Sequence, residues 1–369
     1  MKSDGGLAEP KQGLVRFGLV GCGRIGVSAD EDVRQWAIAP FWLPLSHASA
    51  IRGTDRAELA AVCDVHEAAA RHASKQYQVS AWYADYRQML ACERLDALAI
   101  ATRTNGRREI IEHGVTSGIK AIYCEKPLTN TLEDADVLAA LLEQKNIFFV
   151  YGARRRYMPA YRAARELIEA GEIGELTTIV VRLGNSLLFW GHPHSVDIAS
   201  FFAGDADVEY VQADLDLDPA CVRGSVIDSD PRVRMAYIKF VTGVKAYIVP
   251  SDSFDVELAG TKGILGVRSD GSAVRCRSRL SEGRDDGWLL AERAIPVNGT
   301  MTGTINSIKA LVDAVLEGKN PEYNIRLAVR NQEMLFGFVY SHLQDGGKVR
   351  FPLERRRMRI TGRYGERFA

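Results

Sequence analysis

Five short apolar runs alternate with amphipathic stretches over the first 150 residues. The last two runs are separated by Thr131–Lys145, which places four apolar side chains on one helical face and begins with a capping box formed by Thr131 and Asp134. Continuous apolar strands spaced by helices are typical of a parallel sheet that is covered on both faces. We therefore expect a doubly wound α/β domain over residues 1–150. The five predicted strands are Val15–Val20, Leu59–Cys63, Leu95–Ala101, Ile119–Cys124 and Ile147–Tyr151.

After residue 150 the pattern changes. Pro159 and Gly171 bracket a predicted helix through Ala170, with proline first and glycine last. Strand-like runs follow, several of them alternating polar and apolar residues, as in an antiparallel sheet with one covered face. Helices over Thr304–Leu316 and Arg326–Leu343 close the pattern, which predicts an α+β domain with a large open sheet over residues 151–369. Its predicted strands are Leu176–Leu183, Val208–Leu215, Arg232–Phe240, Val244–Val249 and Phe254–Leu258.

The composition agrees with two globular domains. The chain has 369 residues, and about 150 residues per domain is usual. Lys+Arg and Asp+Glu number 47 each, so no net charge favours nucleic acid or a membrane surface as a partner. The chain has no run of 18 apolar residues, so no membrane span is predicted. Residues 1–13 are polar and lack the apolar core of a signal peptide, so we expect a cytoplasmic protein. The six cysteines form no C-x-x-C motif and are expected to be reduced thiols.

A glycine motif, GCGRIG over residues 21–26, directly follows the first predicted strand. In a G-x-G-x-x-G motif the first glycine permits a tight turn, the second lets the backbone approach a pyrophosphate, and the third lets helix and strand pack closely. Asp64 ends the next strand, where a carboxylate accepts hydrogen bonds from ribose hydroxyls and repels a 2′-phosphate. The sequence therefore predicts a Rossmann dinucleotide site that prefers NAD to NADP.

The spacing between the glycines and Asp64 is unusual. Asp64 lies 38 residues after Gly26, where about 20 is usual. The extra residues lie around Val27 to Leu45 and include Trp36 and Trp42. Two interpretations stay open, a surface insertion and an aromatic flap near the cofactor.

With the glycine loop, the run Cys124-Glu125-Lys126-Pro127-Leu128 resembles the glucose–fructose oxidoreductase, inositol dehydrogenase and rhizopine-catabolism family, Gfo/Idh/MocA. Shorter segments match the same family over nearly the whole chain. They are Ala101–Asn105 after the predicted third strand, Arg155–Pro159 before the linking helix, and the Gly260–Gly263 hairpin. The resemblance implies hydride exchange between a nicotinamide and a carbinol carbon of a sugar or cyclitol. It also implies that Glu125 binds the nicotinamide ribose and that Lys126 holds the substrate hydroxyl or relays its proton.

The second catalytic segment of the family departs from its pattern here. Polyol dehydrogenases of the family carry Asp-x-x-x-His-x-x-Asp, and the corresponding stretch places His194 and Asp197 as expected but Trp190 at the first aspartate. Trp190 would stack on a sugar face or fill the part of the cleft where the aspartate would stand. His192 has no counterpart in the family pattern. We favour acid–base chemistry for His194 over a helix-capping role or a His192/His194 metal site. The loss of a carboxylate favours a substrate less uniformly hydroxylated than inositol, such as a deoxy, amino or nucleotide-linked sugar.

Two further positions depart from, or repeat, the family pattern. Near Gly106 and Arg107 many members carry a histidine that this chain lacks, whereas His47 matches a family histidine and is expected to be structural. The expected catalytic residues are Lys126 and His194, and no metal is expected. The residues expected at the cofactor are Gly21, Cys22, Gly23, Arg24, Ile25, Gly26, Asp64, Thr102, Asn105, Glu125 and Lys126. Those expected at the substrate are Arg156, Tyr157, Trp190, His192 and Asp197.

These observations favour an NAD-dependent sugar or cyclitol oxidoreductase. Two alternatives remain at this stage. One is a noncatalytic NAD(H)-binding sensor or scaffold on the same fold, and the other is a redox-neutral epimerase or lyase that retains NAD. The resemblance also implies a homodimer or homotetramer, in which one uncovered sheet face would be buried.

Overall fold

The computed structural model describes residues 13–184, 186–279, 290–299 and 302–361, so the predicted N-terminal tail lies almost wholly outside the described residues. The first domain contains strands β1 to β6 and helices α1 to α7. The strands are Val15–Val20, Ala57–Cys63, Ala81–Tyr83, Ala97–Ile100, Ala121–Cys124 and Phe148–Tyr151. The helices are Ala29–Val33, Ala39–Trp42, His47–Arg52, Glu67–Tyr77, Tyr86–Cys92, Arg107–Thr116 and Leu132–Gln144.

These six strands form one parallel sheet in the order β3-β2-β1-β4-β5-β6, which confirms the doubly wound Rossmann fold. The central strands β1, β4 and β5 are almost wholly buried because helices cover both faces, and this burial explains their continuous apolar sequences. Thr131 caps α7 as predicted, since its hydroxyl accepts the Asp134 N–H at 3.1 Å. The carboxyl ends of β1, β2, β4 and β5 meet at one edge, where α/β sheets bind their ligands.

The second domain contains β7 to β18 and α8 to α11. Nine of its strands form a mainly antiparallel sheet in the order β16-β15-β14-β13-β7-β12-β11-β8-β17, in which only β7 and β12 run parallel among the described pairs. A small sheet, β18-β10-β9, lies apart. In chain order the helices α8 to α11 are Pro159–Glu169, His192–Phe202, Gly303–Glu317 and Ile325–His342. In chain order the strands are Leu176–Arg182, Val208–Asp216, Val222–Arg223, Val226–Ile227, Arg232–Phe240, Lys245–Val249, Asp255–Gly260, Gly263–Arg268, Ala273–Arg279, Leu290–Ile295, Val349–Arg350 and Arg359–Ile360.

The chain returns to the first domain after the large sheet. Ile308, Leu311 and Val312 of α10 and Ala328 of α11 are buried in the same hydrophobic core as the parallel sheet. The other half of α11 packs in the core of the second domain. A division at residue 150 therefore separates the two sheets but not the two cores. Among the described residues, no helix has the length and apolar character needed to cross a bilayer.

Candidate active site

The glycine loop has the geometry that its sequence predicts. Gly21 lies at φ +100°, a conformation that favours glycine. A Cβ on Gly26 would fall 2.0 Å from the carbonyl oxygen of Gly21, so only glycine lets the helical turn Arg24–Ser28 pack against the loop. A Cβ on Gly23 would meet no atom within 4 Å, because this residue faces open space. The loop thus leaves its backbone accessible to a bulky anion at the second glycine.

Asp64 is bound to the glycine loop. Its carboxylate accepts the N–H of Cys22 at 2.8 Å and the N–H of His66 at 2.9 Å. These bonds fix the side chain at the end of β2, beside a cavity of about 880 Å³. The cavity is large enough for a nucleotide. Of the residues expected at the cofactor, it is lined by Gly21, Gly23, Arg24, Asp64, Thr102 and Asn105.

Glu125 follows β5 and is held at the first domain's ligand-binding edge. It accepts a hydrogen bond from the His47 ring, whose Nε2 lies 3.1 Å from Glu125 Oε1, and from the backbone N–H of Lys126 at 3.1 Å. Burial acts to raise the pKa of Glu125, but the hydrogen bond and charge of His47, with Lys126 and Arg107, hold it below its ordinary value. His47 is fully buried, with Nε2 against the Glu125 carboxylate, while its Nδ1 has no hydrogen-bond partner among the described residues.

Arg107, which stands where a family histidine was expected, supports the same loop. Its guanidinium donates to the carbonyl oxygens of Glu125 at 2.5 Å and of Pro127 and Thr102. The side chain is 1% exposed, and it joins the loop after β4 to the loop after β5. Sequence reasoning noted the missing histidine but not this replacement, because the bonds are to backbone atoms that no motif marks.

Lys126 contacts Trp190 in two ways. Its ammonium donates to the Trp190 carbonyl oxygen at 2.6 Å and lies 4.1 Å from the centre of the indole ring. Burial lowers the pKa of Lys126 to about 8, against the attraction of Glu125 and Asp230. Where the family pattern has an aspartate, this chain therefore offers Lys126 a carbonyl oxygen and an aromatic face.

Asp230 is a carboxylate of this site that sequence reasoning missed. It accepts the backbone N–H groups of Phe189 at 2.7 Å and Trp190 at 3.1 Å. Burial raises its pKa to about 6, while these two bonds and the charge of Lys126 act against that rise. The residue precedes β11 in a segment without a recognisable motif, so only the folded chain shows that it holds the Trp190 loop beside Lys126.

Lys126 and His194 lie together on a second cavity of about 300 Å³. Burial, with the charges of Arg155 and Lys126, lowers the pKa of His194 well below its ordinary value, so the ring is neutral. Its Nδ1 is buried and has no hydrogen-bond partner in the described part of the chain. The other residues that matter at this cavity are Arg24, Ile25, Trp36, Trp42, Glu125, Arg154, Arg155, Trp190 and Thr304.

The insertion forms one wall of this cavity. Trp36 and Trp42 line it, with their ring centres 6.1 Å apart in an edge-to-face arrangement. Asp30 anchors the segment by accepting the backbone N–H groups of Leu45 at 2.7 Å and Ser46 at 2.8 Å. The sequence left two interpretations of the insertion open, a surface insertion and an aromatic flap. The structure favours the second, because the aromatic segment lies beside the site.

Four residues expected at the substrate lie elsewhere. Arg156 and Asp197 are fully buried and paired, with Arg156 Nη2 donating to Asp197 Oδ1 at 2.7 Å. Tyr157 is buried in the core of the first domain, and its hydroxyl accepts the Tyr323 N–H at 3.3 Å. His192 is 1% exposed, and its Nδ1 contacts the Ser195 hydroxyl at 3.1 Å. None of the four lines the 300 Å³ cavity. They therefore lack the contact with substrate that the sequence predicted, and instead support the walls around the cavity.

Asp197 is unusual among these buried groups. Burial raises its pKa to about 6 against the attraction of Arg156. Asn331 donates to Asp197 Oδ1 at 3.0 Å, so three elements are joined at one carboxylate. In the described part of the chain, no three His, Cys, Asp or Glu side chains are grouped so that they could hold a metal ion.

The sequence of the first domain matches a known protein family. Residues 15–152 match GFO_IDH_MocA, an oxidoreductase family with an NAD-binding Rossmann fold. D-apiose dehydrogenase of Paraburkholderia graminis is 30% identical over 176 residues, which are 43% of this chain and 47% of that protein. Inositol 2-dehydrogenase of Rhizobium meliloti is 31% identical over 167 residues, 45% of this chain and 44% of that protein. The chain thus spans about half the length of the curated relatives it matches.

The whole chain resembles solved structures at lower identity. An NAD binding oxidoreductase from Klebsiella pneumoniae superposes with a TM-score of 0.73 over 92% of this chain and 100% of that one, at 16% identity. That likeness establishes the two-domain fold, and the sequence match establishes the cofactor domain. Residues 15–152 thus match the Gfo/Idh/MocA oxidoreductase family, with its NAD-binding Rossmann fold.

Proposed function

We propose that this protein is an NAD-dependent oxidoreductase that moves a hydride between NAD(H) and a carbinol or keto carbon of a sugar or cyclitol. The observation that carries the proposal is Lys126, a lysine with a pKa lowered to about 8 that lines a cavity next to the cofactor loops. The names of the relatives support the substrate class, since they act on D-apiose and inositol.

Features of the cofactor domain support NAD as the cofactor. The open face at Gly23 and the start of the helical turn Arg24–Ser28 suit the pyrophosphate, and Asp64 suits the adenosine ribose. Glu125 stands where it can accept from the nicotinamide ribose. When bound, NAD supplies the hydride acceptor for oxidation or, reduced, the hydride donor for reduction. We propose NAD over NADP because the Asp64 carboxylate would repel a 2′-phosphate.

Lys126 is proposed to handle the proton. A lysine with a pKa of about 8 is partly neutral at physiological pH, so it can accept the hydroxyl proton as a carbinol becomes a carbonyl. In the reverse direction its ammonium donates that proton to the developing alkoxide. The Trp190 carbonyl holds the ammonium in the cavity, and Glu125 and Asp230 keep its pKa from falling further.

His194 is proposed as the second proton-handling group. Its ring is neutral, and its Nδ1 is a buried nitrogen without a partner among the described residues. A neutral imidazole can donate to or accept from a substrate hydroxyl, according to its tautomer. We propose that it binds the reacting oxygen or an adjacent hydroxyl together with Lys126.

A homodimer or homotetramer is proposed from the face of the large sheet that carries no helix. Tyr210, Tyr237 and Tyr247 form a row of rings on that face, with ring centres 5.7 and 5.2 Å apart. Tyr247 is 38% exposed and Met235 is 47% exposed. Light scattering at micromolar concentration tests the assembly, and a monomeric mass would refute it.

The experiment that tests the function is a screen of sugars, cyclitols and their keto forms with each cofactor. Calorimetry first measures NAD(H) and NADP(H) binding, and absorbance at the NADH band then follows turnover with each compound. We expect NAD(H) to bind more tightly than NADP(H) and at least one compound to be oxidised or reduced.

The two alternatives make different predictions in the same screen. A sensor or scaffold would bind NAD(H) and turn over none of the compounds. A redox-neutral enzyme would purify with NAD that stays bound and would rearrange a sugar with no net change in NADH. Either result would replace the proposed function.

A further inference from the structure

Arg154 is a buried cation that makes no salt bridge on the described part of the chain. It lies on the short turn after β6, it is 7% exposed, and it lines the 300 Å³ cavity. Its single side-chain hydrogen bond runs from Nη1 to the Met158 sulfur at 3.5 Å. Its guanidinium lies 4.5 Å from the centre of the Trp42 ring. Buried charges in proteins are normally paired, so this arrangement leaves Arg154 with unmet hydrogen-bonding and charge requirements.

The neighbouring cations at the cavity are already partnered. Arg155 makes two 2.6 Å bonds to Asp270, and Arg24 donates to Asp32 at 2.7 Å. Lys126 donates to the Trp190 carbonyl, with the charges of Glu125 and Asp230 nearby. Burial, together with the charge of Arg155, lowers the pKa of Arg154 to about 10, against the attraction of Asp270, whose carboxylate is already bound by Arg155. The excess positive charge on this wall therefore belongs to Arg154.

Two uncharged groups at the same cavity also lack partners. Trp42 Nε1 and the Thr304 hydroxyl oxygen are buried, and neither has a hydrogen-bond partner within the described ranges. Arginine and the indole nitrogen are donors only, and cannot accept from a ligand. Two donor-only groups on one wall call for an occupant whose end is an acceptor only, and the charge of Arg154 calls for that end to be negative.

We propose that the substrate carries a carboxylate, as in an aldonic or uronic acid, and that Arg154 binds it while Trp42 Nε1 and Thr304 contribute hydrogen bonds. The inference rests on the proposed function, which it narrows from sugars and cyclitols to sugar acids. A planar carboxylate matches the two-pronged guanidinium. At about 300 Å³ the cavity suits a single sugar acid. Trp36 and Trp190 also line the cavity and supply apolar surface for its carbon skeleton.

The test measures binding rather than turnover, so that it does not depend on the reaction. Calorimetry on the NADH complex compares each sugar acid with the parent that differs only by CH₂OH in place of the carboxylate. The pairs are D-gluconate with D-glucitol, D-glucuronate with D-glucose, and D-galacturonate with D-galactose. We expect at least one acid to bind tenfold or more tightly than its parent. If every acid stays within tenfold of its parent, the proposal is wrong.

Two variants locate that preference. Arg154→Gln should weaken binding of the preferred acid about 30-fold or more, the usual scale for losing one partner of a buried charged pair, and leave the neutral parent within threefold. Trp42→Phe keeps the ring and removes the N–H, and should weaken the acid several-fold. It also provides a second reading should Arg154→Gln fail to fold. Arg71→Gln, an exposed arginine on α4 paired with Glu67, is the matched control and should change neither ligand.

Other outcomes overturn particular parts of the proposal. An acid preference that survives both variants would remove Arg154 and Trp42 from recognition. Loss of NADH affinity in Arg154→Gln would assign Arg154 to the cofactor instead. Tighter Arg154-dependent binding of D-glucose 6-phosphate than of any acid would replace carboxylate by phosphate. Turnover of neutral sugars without any acid preference would refute this inference and leave the proposed function intact. Arg154-dependent acid binding with no turnover of any compound would support the carboxylate site and refute the proposed function.

Discussion

The cofactor cavity is lined by loops that follow strands β1, β2 and β4, whereas the smaller cavity beside Lys126 draws its walls from distant segments. In the first, the glycine loop and the Asp64 carboxylate bound to it form part of the wall, and three glycines set the geometry of the loop. In the second, side chains form the walls, from the insertion, the loop after β5, the turn after β6, the start of α9 and the start of α10. A site made of backbone is fixed by a short motif. A site made of side chains depends on how separate elements pack.

This difference predicts that single side-chain changes will affect chemistry at the small cavity most. Lys126→Ala should lower turnover about 10²-fold or more, the scale expected for losing an acid–base group, because no other amine in the cavity can take its place. NADH affinity, measured by calorimetry, should stay within several-fold. Lys120→Ala, an exposed lysine paired with Asp96, is the control. Unchanged turnover on a confirmed substrate would remove Lys126 from the mechanism.

The glycine loop should respond to a methyl group according to what that methyl group would meet. In Gly26→Ala the new Cβ would overlap the Gly21 carbonyl oxygen at 2.0 Å, so the backbone must move. We expect the free energy of unfolding without cofactor to fall by about 2 kcal/mol or more. Chemical denaturation of the cofactor-free protein measures it.

Gly23→Ala is the matched variant, since its Cβ would meet nothing within 4 Å. Stability should change by less than ~0.5 kcal/mol, as at an open surface position. NADH binding should nevertheless weaken about tenfold, because the methyl group occupies the space where the backbone approaches the pyrophosphate. Equal stability losses in the two variants would contradict this account of the loop.

The same difference explains how far sequence reasoning reached. The alternation of apolar runs and helices predicted the first sheet, in which β1 has the bounds expected, Val15–Val20. In the large sheet of the second domain, β11 likewise matches the predicted Arg232–Phe240. The three-residue strand β3 was missed, because so short a strand carries too few residues for an apolar pattern. Strand β15 was missed because the polar Arg275 and Arg277 of its outer face alternate with the buried Val274 and Cys276.

At the candidate site, the motifs placed some residues well and others not. Lys126 and His194 were expected together and share a cavity. Arg156, expected at the substrate from a motif match, points instead into a buried ion pair, whereas its neighbour Arg154 lines the cavity. Adjacent residues on a tight turn face different ways, and no sequence pattern assigns those directions. Asp230 and Arg107 act on backbone atoms, which a motif does not record.

Asp64 is bound to the glycine loop and lines the cofactor cavity. Asp64→Ser should weaken NAD binding about tenfold, because the ribose acceptor and the bonds to Cys22 and His66 are lost together. NADP binding should weaken less, since the repulsion of a 2′-phosphate disappears. The ratio of the two affinities, from calorimetry, should therefore move toward NADP, while Asp55→Ser, at an exposed position, should leave it unchanged. Tighter NADP than NAD binding by the unmodified protein would refute the role of Asp64.

The smallest expected effect is a shift in a pH profile. In the direction of oxidation, kcat/KM should rise with pH through about 8 as Lys126 loses its proton and becomes the base. The charge of Asp230 favours the ammonium form of Lys126 and so raises its pKa. Asp230→Asn removes that attraction, so the rising limb should move to lower pH by about half a unit.

Asp228→Asn is the control for that shift, because Asp228 lies two residues away, is exposed, and accepts from the Thr361 hydroxyl at 3.2 Å. A merely structural role for Asp230 would lower kcat/KM at every pH and leave the midpoint in place. Loss of one acceptor for the Phe189 and Trp190 N–H groups should add a uniform decrease of several-fold, but only the electrostatic effect displaces the midpoint. A midpoint that stays fixed or moves to higher pH would show that Asp230 holds the loop without setting the proton affinity of Lys126.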